Sequence, residues 1–238
     1  MVQENGVLSI WMCRVPVTSG MRQTFEGALS GAETAQARRF VAPRDRELYL
    51  AAHGLLRLML GASTGSDPSS LAFAAGRWGK PYLLGRHARP APAFNVAHSG
   101  DSVLVAMCAG SAVGVDIERH RSLRDALGIG ERFFSSREAE LLRGLEPAAR
   151  ESAFFRLWTR KEAVVKAAGL SVAGLSREVE VLPVSAELGT GSAEVPPGAP
   201  APLRLGWADL PVDTGYSAAY AVPGPKPLLA LHELGLQE

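Results

Sequence analysis

The chain has 238 residues, 47% of them hydrophobic and 21% charged, and its 25 Lys+Arg against 24 Asp+Glu leave a formal charge of +1. That balance excludes a disordered tail protein and gives no global attraction to nucleic acid or to an anionic membrane. The longest stretch without a charge, residues 102–115, is too short to span a bilayer, residues 1–10 lack the features of a secretion signal, and two cysteines, Cys13 and Cys108, build neither a disulfide framework nor a zinc site, so a cytoplasmic protein is expected.

Taken in chain order, residues 7–17 read as a strand ending at Pro16, and residues 44–60 read as an amphipathic helix after Pro43. The GASTGSDPSS segment at 61–70 breaks that helix, and residues 76–92 read as loop around the compact Gly79-Lys80-Pro81 turn. Residues 94–96 and 103–107 read as a hairpin with the polar His98-Ser99-Gly100-Asp101 at its tip, and VGVDIE at 113–118 as a further strand. Residues 132–145 and 151–169 read as helices, the first opened by Ser135 with Glu138 at capping-box spacing. Residues 189–202, half of them Gly or Pro, read as a flexible loop, and GYSAAYAV at 215–222 as the last strand. Each half of the chain thus offers strands and one long helix. The expected architecture is α+β, two lobes divided into residues 1–110 and 111–238, the second holding the metal and catalytic acids.

In VGVDIE, Asp116 and Glu118 are two apart, so in a strand both carboxylates leave the same face. Two like charges held this close raise each other's pKa unless a cation neutralises them; the plain alternative is a solvated face beside Arg119 and Arg121. On the helix at 151–169, Phe155, Trp158, Glu162, Val165 and Lys166 fall on one stripe, which places a third carboxylate and an ammonium among apolar residues; the alternative is a surface i, i+4 ion pair worth roughly 0.3–0.5 kcal/mol. Oxygen ligands without clustered Cys or His favour a hard ion such as Mg²⁺. His98-Ser99 lacks the G-x-S-x-G elbow of a serine hydrolase, and no Rossmann, P-loop or zincin motif is present. Only four of the 25 basic residues are lysines, Lys80, Lys161, Lys166 and Lys226, and three of these lie in the segments singled out here.

Taken together and in order, GKP at 79–81, FNVAHSGD at 94–101, VGVDIE at 113–118, RFFSSRE at 132–138 and LWTRKEAVVKAAG at 157–169 resemble the 4′-phosphopantetheinyl transferases of the surfactin-synthetase-activating (Sfp) type. The resemblance implies a monomer of two similar lobes in pseudo-twofold arrangement, with coenzyme A in the cleft between them. It further implies transfer of 4′-phosphopantetheine to a serine of an apo acyl or peptidyl carrier protein, with release of 3′,5′-ADP. By motif position, Asp116, Glu118 and Glu162 would hold Mg²⁺, Glu162, Lys166 and His98 would be catalytic, and Lys80, Pro81, His98, Lys161, Lys166 and Arg46 would contact the cofactor substrate.

Two positions depart from the family pattern. Ala97 stands where a hydroxyl often precedes the histidine, and Arg46 lies about two positions from the arginine expected for the nucleotide 3′-phosphate, with Arg44 and Arg57 as substitutes. An apolar patch between Arg119 and Phe134, or in the helix after Ser135, is expected to receive the carrier, with arginines 119, 121, 124, 132 and 137 around it. The competing readings are a Mg²⁺-dependent pyrophosphate hydrolase acting on coenzyme A and a noncatalytic coenzyme A- or carrier-binding module. Polyketide, nonribosomal-peptide and fatty-acid carriers are not distinguished at this level.

Overall fold

The computed structural model describes residues 7–170, 177–184, 187–195, 203–224 and 227–234. Strand β1 (Leu8–Arg14) lies inside a four-stranded sheet of order β10-β1-β5-β4, antiparallel to β5 (Ser102–Cys108) and parallel to β10 (Leu229–Leu234); β5 is antiparallel to β4 (Ala93–Ser99). Every residue of β5 is buried, because both faces of this sheet are covered. On one face lies α3 (Pro43–Thr64), whose Ala51, Ala52, Leu55, Leu56 and Leu60 pack with Cys13, Val103, Val105 and Phe94. Each such Leu contributes roughly 1.5–3 kcal/mol by leaving water.

The second sheet has order β6-β9-β8-β7, all antiparallel, from β6 (Gly114–Arg119), β7 (Thr190–Val195), β8 (Leu203–Asp209) and β9 (Tyr216–Pro223). Helix α6 (Pro147–Ala167) covers one face through Phe155, Ala163, Val164 and Ala167 against Leu205, Trp207, Ala219 and Ala221. The other face, with Val115, Ile117, Tyr220 and Val222, meets Leu8, Ile10, Leu104 and Ala106 of the first sheet. The chain is therefore α+β, two sheet-and-helix lobes back to back, as expected. No described helix is long and apolar enough to cross a membrane. A division at 110/111 remains a proposal; β10, from beyond residue 110, returns to pair with β1.

Several local expectations are corrected. The helix expected to stop at 60 runs on to Thr64, since Gly61 gives Pro68 the room a side chain would take and Thr64 Oγ1 donates to the Leu60 carbonyl at 2.7 Å; Gly65, at φ 71°, ends it. Helices α1 (Ser19–Ala28) and α2 (Gly31–Ala37) escaped sequence reading because each buries only one or two residues. Residues 76–92 are not all loop: β2 (Ala72–Ala75) and β3 (Pro81–Leu84) form a hairpin whose turn holds Gly79-Lys80. His98 and Ser99 stand in β4 rather than at a hairpin tip, which is only Gly100-Asp101. The helix expected over 132–145 is two, α4 (Ala126–Phe133) and α5 (Ser136–Gly144), because the Ser135–Glu138 capping box starts a new one. Within 189–202, residues 190–195 form β7, where Gly191 lies beneath the Trp207 ring with no space for a Cβ; residues 196–202 lie outside the described residues. GYSAAYAV forms most of β9, which is followed by β10 and so is not the last strand.

Candidate active site

Strand β6 places the acids by simple alternation: Val115 and Ile117 face the sheet-sheet core, so Asp116 and Glu118 face away from it. Helix α6 crosses this strand so closely that a Cβ on Gly114 would collide with the backbone carbonyl of Ala163. The close approach brings Lys166 Nζ to 2.6 Å from Asp116 Oδ1 and 3.8 Å from Glu162 Oε2. Asp116 is 5% exposed, and its Oδ2 is buried without a hydrogen-bond partner. Burial pushes the Asp116 carboxyl up to about 7, aided by the charges of Glu162 and Glu118 and opposed by Lys166. Glu162 is also raised, by burial and by Glu118, against the pull of Lys166.

Glu118 is held from the other lobe. Ser99 Oγ donates to its Oε2 at 2.8 Å, and Arg121 approaches to 3.5 Å. Ser99 Oγ also accepts from Arg119 N at 3.1 Å, while Tyr216 OH donates to Asp101 Oδ1 at 2.6 Å and Asn95 Oδ1 accepts from Val115 N at 2.9 Å. Sequence reading missed these roles, although alternation along FNVAHSGD carried a signal: Asn95 and Ser99 leave one face of β4 toward β6, and His98 leaves the other. Ala97 shares the Asn95 side and is buried in the sheet-sheet core, so a hydroxyl there would not stand beside His98.

His98 lines a cavity of about 410 Å³ between α3 and β4, together with Phe40, Leu48, Tyr49, His53 and Pro81. Burial lowers the His98 pKa, with the positive charges of Lys166 and His53 acting in the same direction. Lys80 reaches across the lobes, donating to the carbonyls of Val113 at 2.7 Å and Lys166 at 2.6 Å; burial, then the charge of Lys166, lowers it to about 8. The Lys166 carbonyl, at the C-terminal end of α6, also accepts from Gly169 N at 3.1 Å.

The remaining nucleotide-side expectations are placed elsewhere. Lys161 is 2% exposed and paired at 2.7 Å with Glu138 beside the Phe134 ring, because position 161 turns to the opposite side of α6 from Asp116; in this structure it forms a core ion pair. Glu138 matches the capping-box reading and also accepts from Val181 N at 2.8 Å. Arg46 is exposed on α3 at 4.0 Å from Glu26, outside the cavity lining; Arg44 is exposed, and Arg57 is buried, donating to the Pro68 carbonyl at 2.6 Å and paired with Glu33. As for a metal, among the described residues no three Asp, Glu, His or Cys side chains gather closely enough to hold an ion in common. The three acids share one corner, but Lys166 bridges two of them and Ser99 and Arg121 hold the third. The orphaned Asp116 Oδ2 and the all-oxygen donor set nevertheless fit a hard cation.

Residues 112–205 match the family model of the 4′-phosphopantetheinyl transferase superfamily, and residues 16–110 match that of the 4′-phosphopantetheinyl transferase N-terminal region. The 4′-phosphopantetheinyl transferase HetI of Nostoc sp. is 36% identical over 172 residues, 72% of each chain. A putative 4′-phosphopantetheinyl transferase of Synechocystis sp. is 34% identical over 69% of this chain and 66% of its own length, and the Sfp enzyme of Bacillus subtilis is 28% identical over 92% of both. With an acid-lysine cluster where α6 crosses β6, a cavity beside it, and this similarity, the chain belongs to the 4′-phosphopantetheinyl transferase superfamily.

Proposed function

We propose that the protein transfers 4′-phosphopantetheine from coenzyme A to a serine of apo carrier proteins and releases 3′,5′-ADP, as a monomeric cytoplasmic enzyme of the Sfp type. The observation that carries this reading is the half-neutralised carboxylate cluster of Asp116, Glu162 and Glu118 around Lys166, next to the His98 cavity. The Sfp-type reading draws on similarity over nearly the full length of both chains. Mg²⁺, which takes one or two carboxylates together with substrate phosphates, would be held at Asp116 with Glu118 or Glu162, and when bound would neutralise pyrophosphate charge as a Lewis acid.

The chain's own residues supply the rest. Glu162, whose carboxyl is raised by burial and by Glu118 against the pull of Lys166, would accept the serine hydroxyl proton. That proton leaves as the hydroxyl oxygen attacks the phosphorus attached to pantetheine; the bond from this phosphorus to the bridging oxygen breaks and its electron pair departs on 3′,5′-ADP. Lys166 and His98 would stabilise that negative charge. Lys166, partly exposed beside Asp116, would also turn its ammonium to phosphate.

The test is intact-mass analysis of several apo carriers incubated with coenzyme A, with and without Mg²⁺. One added phosphopantetheine per carrier, abolished by chelation, is expected; no addition on any fatty-acid, polyketide or peptide carrier rejects the reading.

A further inference from the structure

Strand β6 is the outer strand of its sheet, paired only with β9, so the backbone of its other edge needs partners from elsewhere. Side chains of β4 supply them. Asn95 Oδ1 and Ser99 Oγ, four residues apart, accept from Val115 N and Arg119 N, likewise four apart, at 2.9 and 3.1 Å. Having accepted there, the Ser99 hydroxyl gives its one hydrogen to Glu118 Oε2 at 2.8 Å. The turn that follows is fitted to the same end of the second sheet. Gly100, at φ 62°, leaves no room for a Cβ beside the Tyr216 hydroxyl and the Arg119 side chain, and Tyr216 OH accepts from Asp101 N at 3.3 Å while donating to Asp101 Oδ1 at 2.6 Å.

The two acids of β6 are thereby held in the same manner. Asp116 gives Oδ1 to Lys166 and keeps Oδ2 without a partner. Glu118 gives Oε2 to Ser99, and no hydrogen bond from the described residues reaches its Oε1. Arg121 stands 3.5 Å from the same Oε2 but is largely exposed, so its pull is screened and Ser99 is the firmer anchor. Resting on the transferase reading above, we propose that Ser99 is a positioning residue contributed by the first lobe: its hydroxyl fixes Glu118 by one oxygen and leaves the other open to a hard cation beside Asp116. Without that hydroxyl a partly exposed glutamate samples several rotamers and must be ordered again when the cation binds.

The experiment titrates Mn²⁺ into the protein with coenzyme A and no carrier, reading free Mn²⁺ by electron paramagnetic resonance, for the wild type, Ser99→Ala, Ser99→Thr and Tyr216→Phe. The Mg²⁺ dependence of transfer and thermal melts accompany it. Loss of a hydrogen bond to a ligating carboxylate predicts that Ser99→Ala binds Mn²⁺ about tenfold or more weakly and needs correspondingly more Mg²⁺ for half-maximal transfer. At saturating Mg²⁺, KM for coenzyme A should change little. Ser99→Thr keeps the hydroxyl and should keep the affinity. Tyr216→Phe cuts another bond between the lobes but leaves Glu118 its donor, so it should lower the melting temperature without weakening Mn²⁺.

No Mn²⁺ binding by the wild type, wild-type affinity in Ser99→Ala, equal weakening in Tyr216→Phe, or a loss in Ser99→Thr as large as in Ser99→Ala overturns the inference. The Mn²⁺ arm needs no turnover. Weaker Mn²⁺ binding in Ser99→Ala with no transfer to any carrier would sink the transferase reading alone, and transfer with unaltered Mn²⁺ affinity would sink this one alone.

Discussion

Asp116 shows how a single carboxylate reports on its surroundings. One oxygen meets an ammonium and the other meets nothing, so burial outweighs the ion pair and the folded-state pKa rises from 3.8 to about 7. The native state therefore binds a proton that the unfolded chain has released: this contribution to stability is full below pH 3.8 and is lost as pH rises through 7. At about 1.4 kcal/mol per unit, the loss amounts to at most ~4 kcal/mol. Urea unfolding without divalent cation should show the wild type weaker at pH 8 than at pH 5, with Asp116→Asn flattening much of that slope. A variant slope equal to the wild-type slope would place the titration elsewhere. Glu162 tests the chemistry: Glu162→Gln keeps shape and hydrogen-bonding capacity but removes the proposed base, and transfer should fall by roughly 10²–10⁴-fold with an unchanged melt. Turnover near the wild-type rate would remove Glu162 from proton transfer.

The alignment of these residues belongs to a strand and a helix pressed together. Gly114 is the point of closest approach, and a methyl group there meets backbone that cannot swing aside as a side chain can. Gly114→Ala should cost about 1–3 kcal/mol of stability and, by moving α6 off β6, reduce kcat more than it alters the KM for coenzyme A. Denaturant midpoints alongside steady-state kinetics check this, and a stable variant with wild-type kcat would show that the packing distance does not set the site. Element types were readable wherever a long apolar stripe or strict alternation existed, as in α3, α6 and β6. Glycines misled the reading at Gly61 and Gly191, which are positions of close packing and not of chain flexibility. In the same way, the Lys161 motif position suggested phosphate, while the turn of the helix delivers it to Glu138.

Over the whole molecule the formal charge is close to zero, so any attraction for an acidic carrier must come from local arrangement. Arg119, Arg121, Arg124, Arg132 and Arg137 are all exposed, and Leu123, Leu127, Ile129 and Phe133 among them are only partly buried. If the carrier docks there, the rate constant for association with an acidic carrier should fall between 50 and 500 mM salt, because screening shortens the reach of these charges, while kcat changes little. An association rate insensitive to salt, or unaffected in Arg124→Ala/Arg132→Ala, would move the docking surface elsewhere.

Strands and a long helix in each half were enough to identify the α+β class, and the ordered motifs to single out the acids of β6 and α6 as candidates, because hydrophobic periodicity and the two-residue spacing of Asp116 and Glu118 are local properties of the chain. Proximity across the lobes is not local. Ser99 holding Glu118, Lys80 reaching the end of α6, and the return of β10 to β1 all join residues distant in sequence. Which of them meet is decided by how two sheets and two helices pack, and only the folded arrangement contains that information.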